Sequence, residues 1–221
     1  MTKLTHISLF ITLLTLLGCS QNEVSTDSNQ SNINQNEATK DYQPAINTIV
    51  YKEGIDYRIV KDINSGDLSA PFIIEYFWLS CGHCQRLEKP LQAYKNKHPG
   101  VGFKRKHAVL GEQWVMDARL YYALEETNNI DHFDEFFSIY MKGMTEERLN
   151  KFFIDNKINK DEFFKTAGSS ETILSQMKES LKEMTDNKMT SVPSLVINGK
   201  YLILKTAKGD YFDLVSYLLT K

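Results

Sequence analysis

The stretch EYFWLSCGHCQRLEKP, residues 75–90, sets two cysteines three apart, directly after strand-forming residues and directly before a helical pattern. A CxxC pair at a strand-to-helix junction constrains the fold of this 221-residue chain more than any other feature. Ahead of it, PFIIEYFW (71–78) is apolar on both faces, as a central sheet strand should be. Behind it, Leu87, Leu91 and Tyr94 recur at helical spacing. Pro90 falls within that helix and is expected to kink it, since it removes a backbone donor. DYRIV (56–60) reads as an earlier strand and VGFKRKHAVL (101–110), which alternates, as the strand after the helix.

From about 112 to 185 the pattern is helical. Phe133, Phe136, Phe137, Tyr140 and Met141 form one amphipathic stripe, and Leu174, Met177, Leu181 and Met184 form another; both read as core. SLVINGKYLIL (194–204) reads as a hairpin, because Asn198-Gly199 tolerates the positive φ angles of a type I′ turn. A last helix follows, with Asp210 as N-cap and Phe212, Val215 and Leu219 on one face. The order βαβ, a block of helices, then ββα is that of an α/β thioredoxin fold with a large helical insertion between its halves.

The N-terminus has its own logic. Lys3 supplies a short basic region and ISLFITLLTLLG an apolar stretch; Ile7–Leu17 is too short to span a bilayer as a mature helix but suits a signal-peptide core. LLGCS then places Gly18 before Cys19 as in a bacterial lipobox, so residues 1–18 read as a lipoprotein signal peptide and Cys19 as the lipidated residue. Residues 19–45 are polar and cannot bury enough surface to fold. They read as a tether of about 25 Å root-mean-square reach, with one folded domain over 46–221. A net charge of −2 gives no basic field for nucleic acid. The expected location is the bacterial envelope: anchored to the membrane by lipid, with the domain in the periplasm or otherwise extracytoplasmic.

With Cys19 consumed by lipid, only Cys81 and Cys84 remain. A staple across so short a loop removes little unfolded-state entropy. Structural zinc needs about four ligands, and the five histidines are scattered, so no metal site is expected. Covalent haem attachment wants histidine after the second cysteine, and position 85 is glutamine. Redox exchange remains, with the cysteine pair itself as the redox group and no other cofactor. A strand running into Cys81 places its sulfur at a helix N-terminus, which favours the thiolate. Cys84, one turn in, is shielded and attacks only after a mixed disulfide has formed. His83 is expected to tune the Cys81 thiol. Pro193, just before the hairpin, is expected to be cis and to face the CxxC. The backbone of Val192 would then pair with an incoming peptide strand, which Gly82 borders. Glu75 in a central strand is costly unless paired or titrating, and is expected to relay a proton to or from Cys84, with Arg105 as candidate counter-charge.

From about residue 46 onward the chain resembles the DsbA family of bacterial thiol:disulfide oxidoreductases. EYFWLSCGHC is similar to the family's strand and active site, and SVPSLVINGKY to its cis-proline loop and hairpin. The resemblance implies an oxidase that donates its disulfide to reduced or unfolded secreted proteins and is reoxidised by a DsbB-type membrane quinone reductase. Gly82-His83 departs from the family's commonest Pro-His and matches the pair typical of eukaryotic protein disulfide isomerase. An isomerase or reductase kept reduced by a membrane partner is therefore the alternative. Val192 before the proline and the lack of an N-terminal dimerisation domain favour the oxidase. A non-enzymatic peptide- or metal-binding lipoprotein is a third reading, opposed by the intact cysteine pair. A monomer is the default assembly.

Overall fold

A computed structural model describes residues 49–205 and 210–221; Cys19, the signal peptide and the tether lie outside the described residues. β1 (Tyr57–Ile59) and β2 (Phe72–Phe77) precede α1 (Gly82–Lys97) and β3 (Gly102–His107). Helices α2 (Gln113–Glu126), α3 (Phe133–Met141), α4 (Glu146–Asp155), α5 (Lys160–Ser169) and α6 (Glu171–Asp186) follow. The chain closes with β4 (Ser194–Ile197), β5 (Tyr201–Ile203) and α7 (Tyr211–Leu219). The expected thioredoxin fold with its helical insertion is therefore present.

The sheet runs β1-β5-β4-β2-β3, with β2 parallel to β3 and the other neighbours antiparallel. All six residues of β2 are buried, which is why its sequence is apolar on both faces. On one face Ile73, Leu195 and Ile197 pack with Tyr94 of α1 and with Leu214, Val215 and Leu218 of α7. On the other, Ile74, Tyr76 and Val196 meet the helical insertion through residues such as Tyr121, Phe136 and Met184. The Asn198-Gly199 turn has φ values of 52° and 65°, as the dipeptide predicts. Asn198 also accepts the Phe72 backbone N–H on its Oδ1 at 3.0 Å, tying the hairpin to the start of β2. Helix α1 continues through Pro90, whose ring sits on an exposed face.

Two helical faces differ from the sequence expectation. In α6 the buried residues are Ile173, Met177, Ser180, Glu183 and Met184, while Leu181 is exposed. The Lys106 ammonium of β3 bonds both Glu183 carboxylate oxygens at 2.7 Å, the Tyr76 hydroxyl donates to Glu183, and Ser180 donates to the His107 carbonyl at 2.9 Å. Those buried partners turn the polar residues inward and Leu181 outward. In α7 the buried stripe is Leu214, Val215 and Leu218 rather than Phe212, Val215 and Leu219. Met141, at the end of α3, is also exposed.

Candidate active site

Cys81 caps α1. Its backbone is extended (φ −85°, ψ 110°), its carbonyl accepts the Gln85 N–H, and its Sγ accepts the Cys84 N–H at 3.3 Å. A sulfur in that position receives an N–H that the helix leaves without an internal partner. The Cys81 N–H is held by the Trp78 carbonyl, and the Gln85 side chain donates to the Leu79 carbonyl, which closes the strand-to-helix loop. Cys84 is fully buried and Cys81 retains 8% exposure. Burial pushes the Cys84 thiol well above its ordinary range, and its hydrogen bond with Cys81 acts in the same direction. The two thiols are chemically unequal: one at the surface end of the loop, the other inside and reluctant to lose its proton.

The Val192–Pro193 peptide is cis, as expected. It brings the loop against the CxxC, with the Cys81 sulfur 3.8 Å from the Val192 carbonyl oxygen. Ser194 Oγ donates to the Ser191 carbonyl at 2.7 Å and fixes the turn. A groove of about 740 Å³ runs beside this contact, bordered by His83 and Leu87 of α1, by Val192 and Pro193, and by Leu202 and Phe212. Gly82, the exposed first residue of α1, lies beside Cys81.

His83 departs from its expected contact. Its ring is exposed and its Nδ1 lies 2.9 Å from an Arg86 guanidinium nitrogen, not on the Cys81 sulfur. Arginine only donates, so Nδ1 accepts and the ring proton sits on Nε2. The physical reason is spacing: positions 83 and 86 share one face of the first helical turn.

Glu75 is 1% exposed, so it does not reach water at the sheet rim. It is the register partner of Arg105 across β2 and β3, and Arg105 Nε donates to its Oε2 at 2.8 Å. The same guanidinium bonds Glu88 of α1 at 2.5 Å. Burial raises the Glu75 carboxyl above the usual carboxylate range, with Arg105 opposing. The Glu75 charge in turn adds to the upward push on Cys84. Glu88, on the inner face of α1, escaped the sequence reading because glutamate in a helix is ordinary.

Two further groups hold the cysteine loop. Asp117 of α2 is buried and accepts from Trp78 Nε1 and Ser80 Oγ, both at 2.7 Å, and from the Tyr140 hydroxyl at 3.2 Å. Trp78 stacks on Trp114 with centroids 4.4 Å apart. His107 is fully buried under the loop, accepting the Leu79 N–H on Nε2 at 3.2 Å and donating from Nδ1 to the Ala108 carbonyl at 2.8 Å. Burial pushes its pKa down to about 3, so the ring is neutral. The signal for Asp117 was its place on the otherwise aromatic Trp114–Tyr121 face of α2. Among the described residues no cluster of three His, Cys, Asp or Glu side chains is placed to hold a metal ion, and no helix is long and apolar enough to cross a membrane.

A dithiol at a helix start, faced by a cis proline on a β-α-β…β-β-α frame, defines a thioredoxin-fold redox protein. The thioredoxin family model matches residues 59–209, and the chain belongs to that family. Within it, the chain is 32% identical over 135 residues to the thiol:disulfide interchange protein DsbA of Azotobacter vinelandii, covering 58% of this chain and 63% of that one. It is 28% identical over 159 residues to the DsbA of Pseudomonas aeruginosa, covering 67% of this chain and 74% of that one. A solved structure of a Pseudomonas aeruginosa DsbA variant superposes with a TM-score of 0.67 at 25% identity, over 77% of this chain and 97% of that one. The chain thus spans just under two thirds of its Azotobacter relative.

Proposed function

We propose that this chain is a thiol:disulfide oxidoreductase acting as a dithiol oxidase. In its oxidised form the Cys81–Cys84 disulfide is attacked at Cys81 by a substrate thiolate. A mixed disulfide forms at Cys81, and the electron pair of the broken bond leaves on the Cys84 sulfur, which takes up a proton. A second substrate thiolate then attacks the mixed disulfide; the substrate gains its disulfide and Cys81 leaves as thiolate. Two electrons have passed from the substrate dithiol to the protein. The observation that carries this reading is the placement of Cys81: at the α1 N-terminus, 3.3 Å from the Cys84 N–H and 3.8 Å from the Val192 carbonyl beside the cis proline.

Each residue has a role in that scheme. Cys84 is the resolving thiol, and its raised pKa favours capture of a proton as it leaves. Glu75 is the group that passes that proton, a role supported by its burial, its raised pKa and its coupling to Cys84. Pro193 and the Val192 backbone hold the substrate strand, with Gly82 and His83 bordering it. Cys19 carries the lipid that ties the domain, through the tether, to the envelope membrane. Reduced secreted proteins are the substrates, and a DsbB-type quinone reductase restores the disulfide. An oxidised preparation mixed with a reduced dithiol peptide should lose one disulfide per peptide disulfide formed. A Cys84→Ser variant, offered the same peptide in its disulfide form, should trap the mixed disulfide at Cys81 and release the peptide's second sulfur as a thiol. Peptide thiols left unchanged, with no covalent adduct, would overturn the assignment.

A further inference from the structure

The groove beside Cys81 carries a charge that the chain as a whole does not. Arg58, Arg86, Lys188 and Lys205 line it, against Asp210 as its acidic side chain, while the full chain has a net charge of −2. The Asp210 carboxylate is already engaged, accepting the Phe212 N–H at 2.7 Å as the N-cap of α7. Among the described residues none of the four cations is in an ion pair; the pairs use Arg105, Lys106, Lys151 and Lys182 instead. Arg58 donates to the Asn187 carbonyl and Arg86 to the His83 ring, both uncharged acceptors. Met189, Val192, Leu202 and Leu204 supply an apolar lining between them. A concave surface with an excess of one charge sign and a low-dielectric wall focuses its field on whatever enters.

We propose that Arg58, Arg86, Lys188 and Lys205 are specificity determinants, selecting cysteine-containing substrate segments in which acidic residues alternate with apolar ones. The extended segment that pairs with the Val192 backbone presents alternate side chains to the groove. Apolar ones meet the lining, and carboxylates meet the cations. This inference rests on thiol exchange at Cys81 as the activity of the site.

The test uses two dithiol peptides of equal length that differ only in flanking residues, Asp and Glu in one, Lys and Arg in the other. Each is offered to the oxidised protein at low ionic strength, and its rate is divided by its own rate with 2-hydroxyethyl disulfide, which removes differences in thiol reactivity. The acidic peptide should react about tenfold faster, and the ratio should fall toward one near 0.5 M salt, as about a Debye length of 4–5 Å dictates. The Lys188→Glu/Lys205→Glu double variant should lose or invert the preference. Equal rates, or a faster basic peptide, would overturn the proposal. Should neither peptide be oxidised, the exchange reaction itself fails. Binding of the same peptides with serine for cysteine, read by fluorescence anisotropy, then decides the electrostatic selection separately: tighter acidic binding upholds it and equal binding refutes it.

Discussion

Replacing Asp117 by alanine should destabilise the fold by about 3 kcal/mol, through three donors that lose one acceptor. Trp78 Nε1 is half-buried against the Trp114 ring, so it regains water poorly after losing a 2.7 Å bond to a charge; about 1–2 kcal/mol follows. The Tyr140 hydroxyl, half-buried at 3.2 Å, adds about 1 kcal/mol. Ser80 is exposed and rehydrates, so its share is a few tenths of that. At roughly 2–4 °C per kcal/mol for a domain of this size, the melting temperature should fall by about 6–12 °C. Asp117→Asn is the control. Its carbonyl oxygen can keep both Trp78 and Ser80, and Tyr140 can turn to accept from its amide, so about 1 kcal/mol should be lost. Denaturant titrations followed by tryptophan fluorescence and near-ultraviolet circular dichroism measure both, the second also reporting the stacked indoles. A loss under 1 kcal/mol for alanine, or an equal loss for asparagine, would refute the reasoning.

Glu75→Gln should flatten part of the pH dependence of stability, because burial holds this carboxyl above its ordinary value and folding therefore favours its protonated form. The native carboxyl loses stability as pH rises from its unfolded to its folded pKa, so the variant's stability relative to the native protein should be higher at about pH 8 than at about pH 4 by urea titration; a relative stability that falls over that range would contradict it. Glu179 has the opposite sign: partial burial opposes ionisation, but bonds from Lys106 and Asn64 outweigh it and lower its pKa. Its stabilisation is present above its ordinary 4.5 and lost as pH falls through the lowered value. Glu179→Gln should therefore cost less than about 1 kcal/mol at pH 7, solvent screening included, and nothing in strong acid, by urea titration at both pH values. The ring of His107 should show no titration between pH 5 and 8 by nuclear magnetic resonance, with Nε2 unprotonated. A midpoint near 6.5 would show that the ring is not the buried acceptor of Leu79.

What the sequence revealed follows short-range rules. Strand alternation sets Glu75 and Arg105 on one side of adjacent strands, and their pairing at 2.8 Å needs only the parallel register. Asn198-Gly199, the Asp210 cap and the helix that begins at Gly82 are likewise local decisions. Hidden features depend on partners distant in sequence. Ser180 and Glu183 turn inward because β3 offers the His107 carbonyl and the Lys106 ammonium, which no property of α6 discloses. Asp117 matters because Trp78 and Ser80, nearly forty residues earlier, converge on it. His83 faced two plausible neighbours, and helical spacing gave it Arg86. The cis bond at Ala70–Pro71 had no sequence signal beside it comparable to the hairpin that follows Pro193.

The equilibrium reduction potential of the Cys81–Cys84 pair, titrated against glutathione with Trp78 fluorescence as readout, tests the oxidase assignment most directly. A protein that donates its disulfide should lie near about −120 to −150 mV. A value of about −200 mV or below would contradict it and assign the pair to reduction or isomerisation instead.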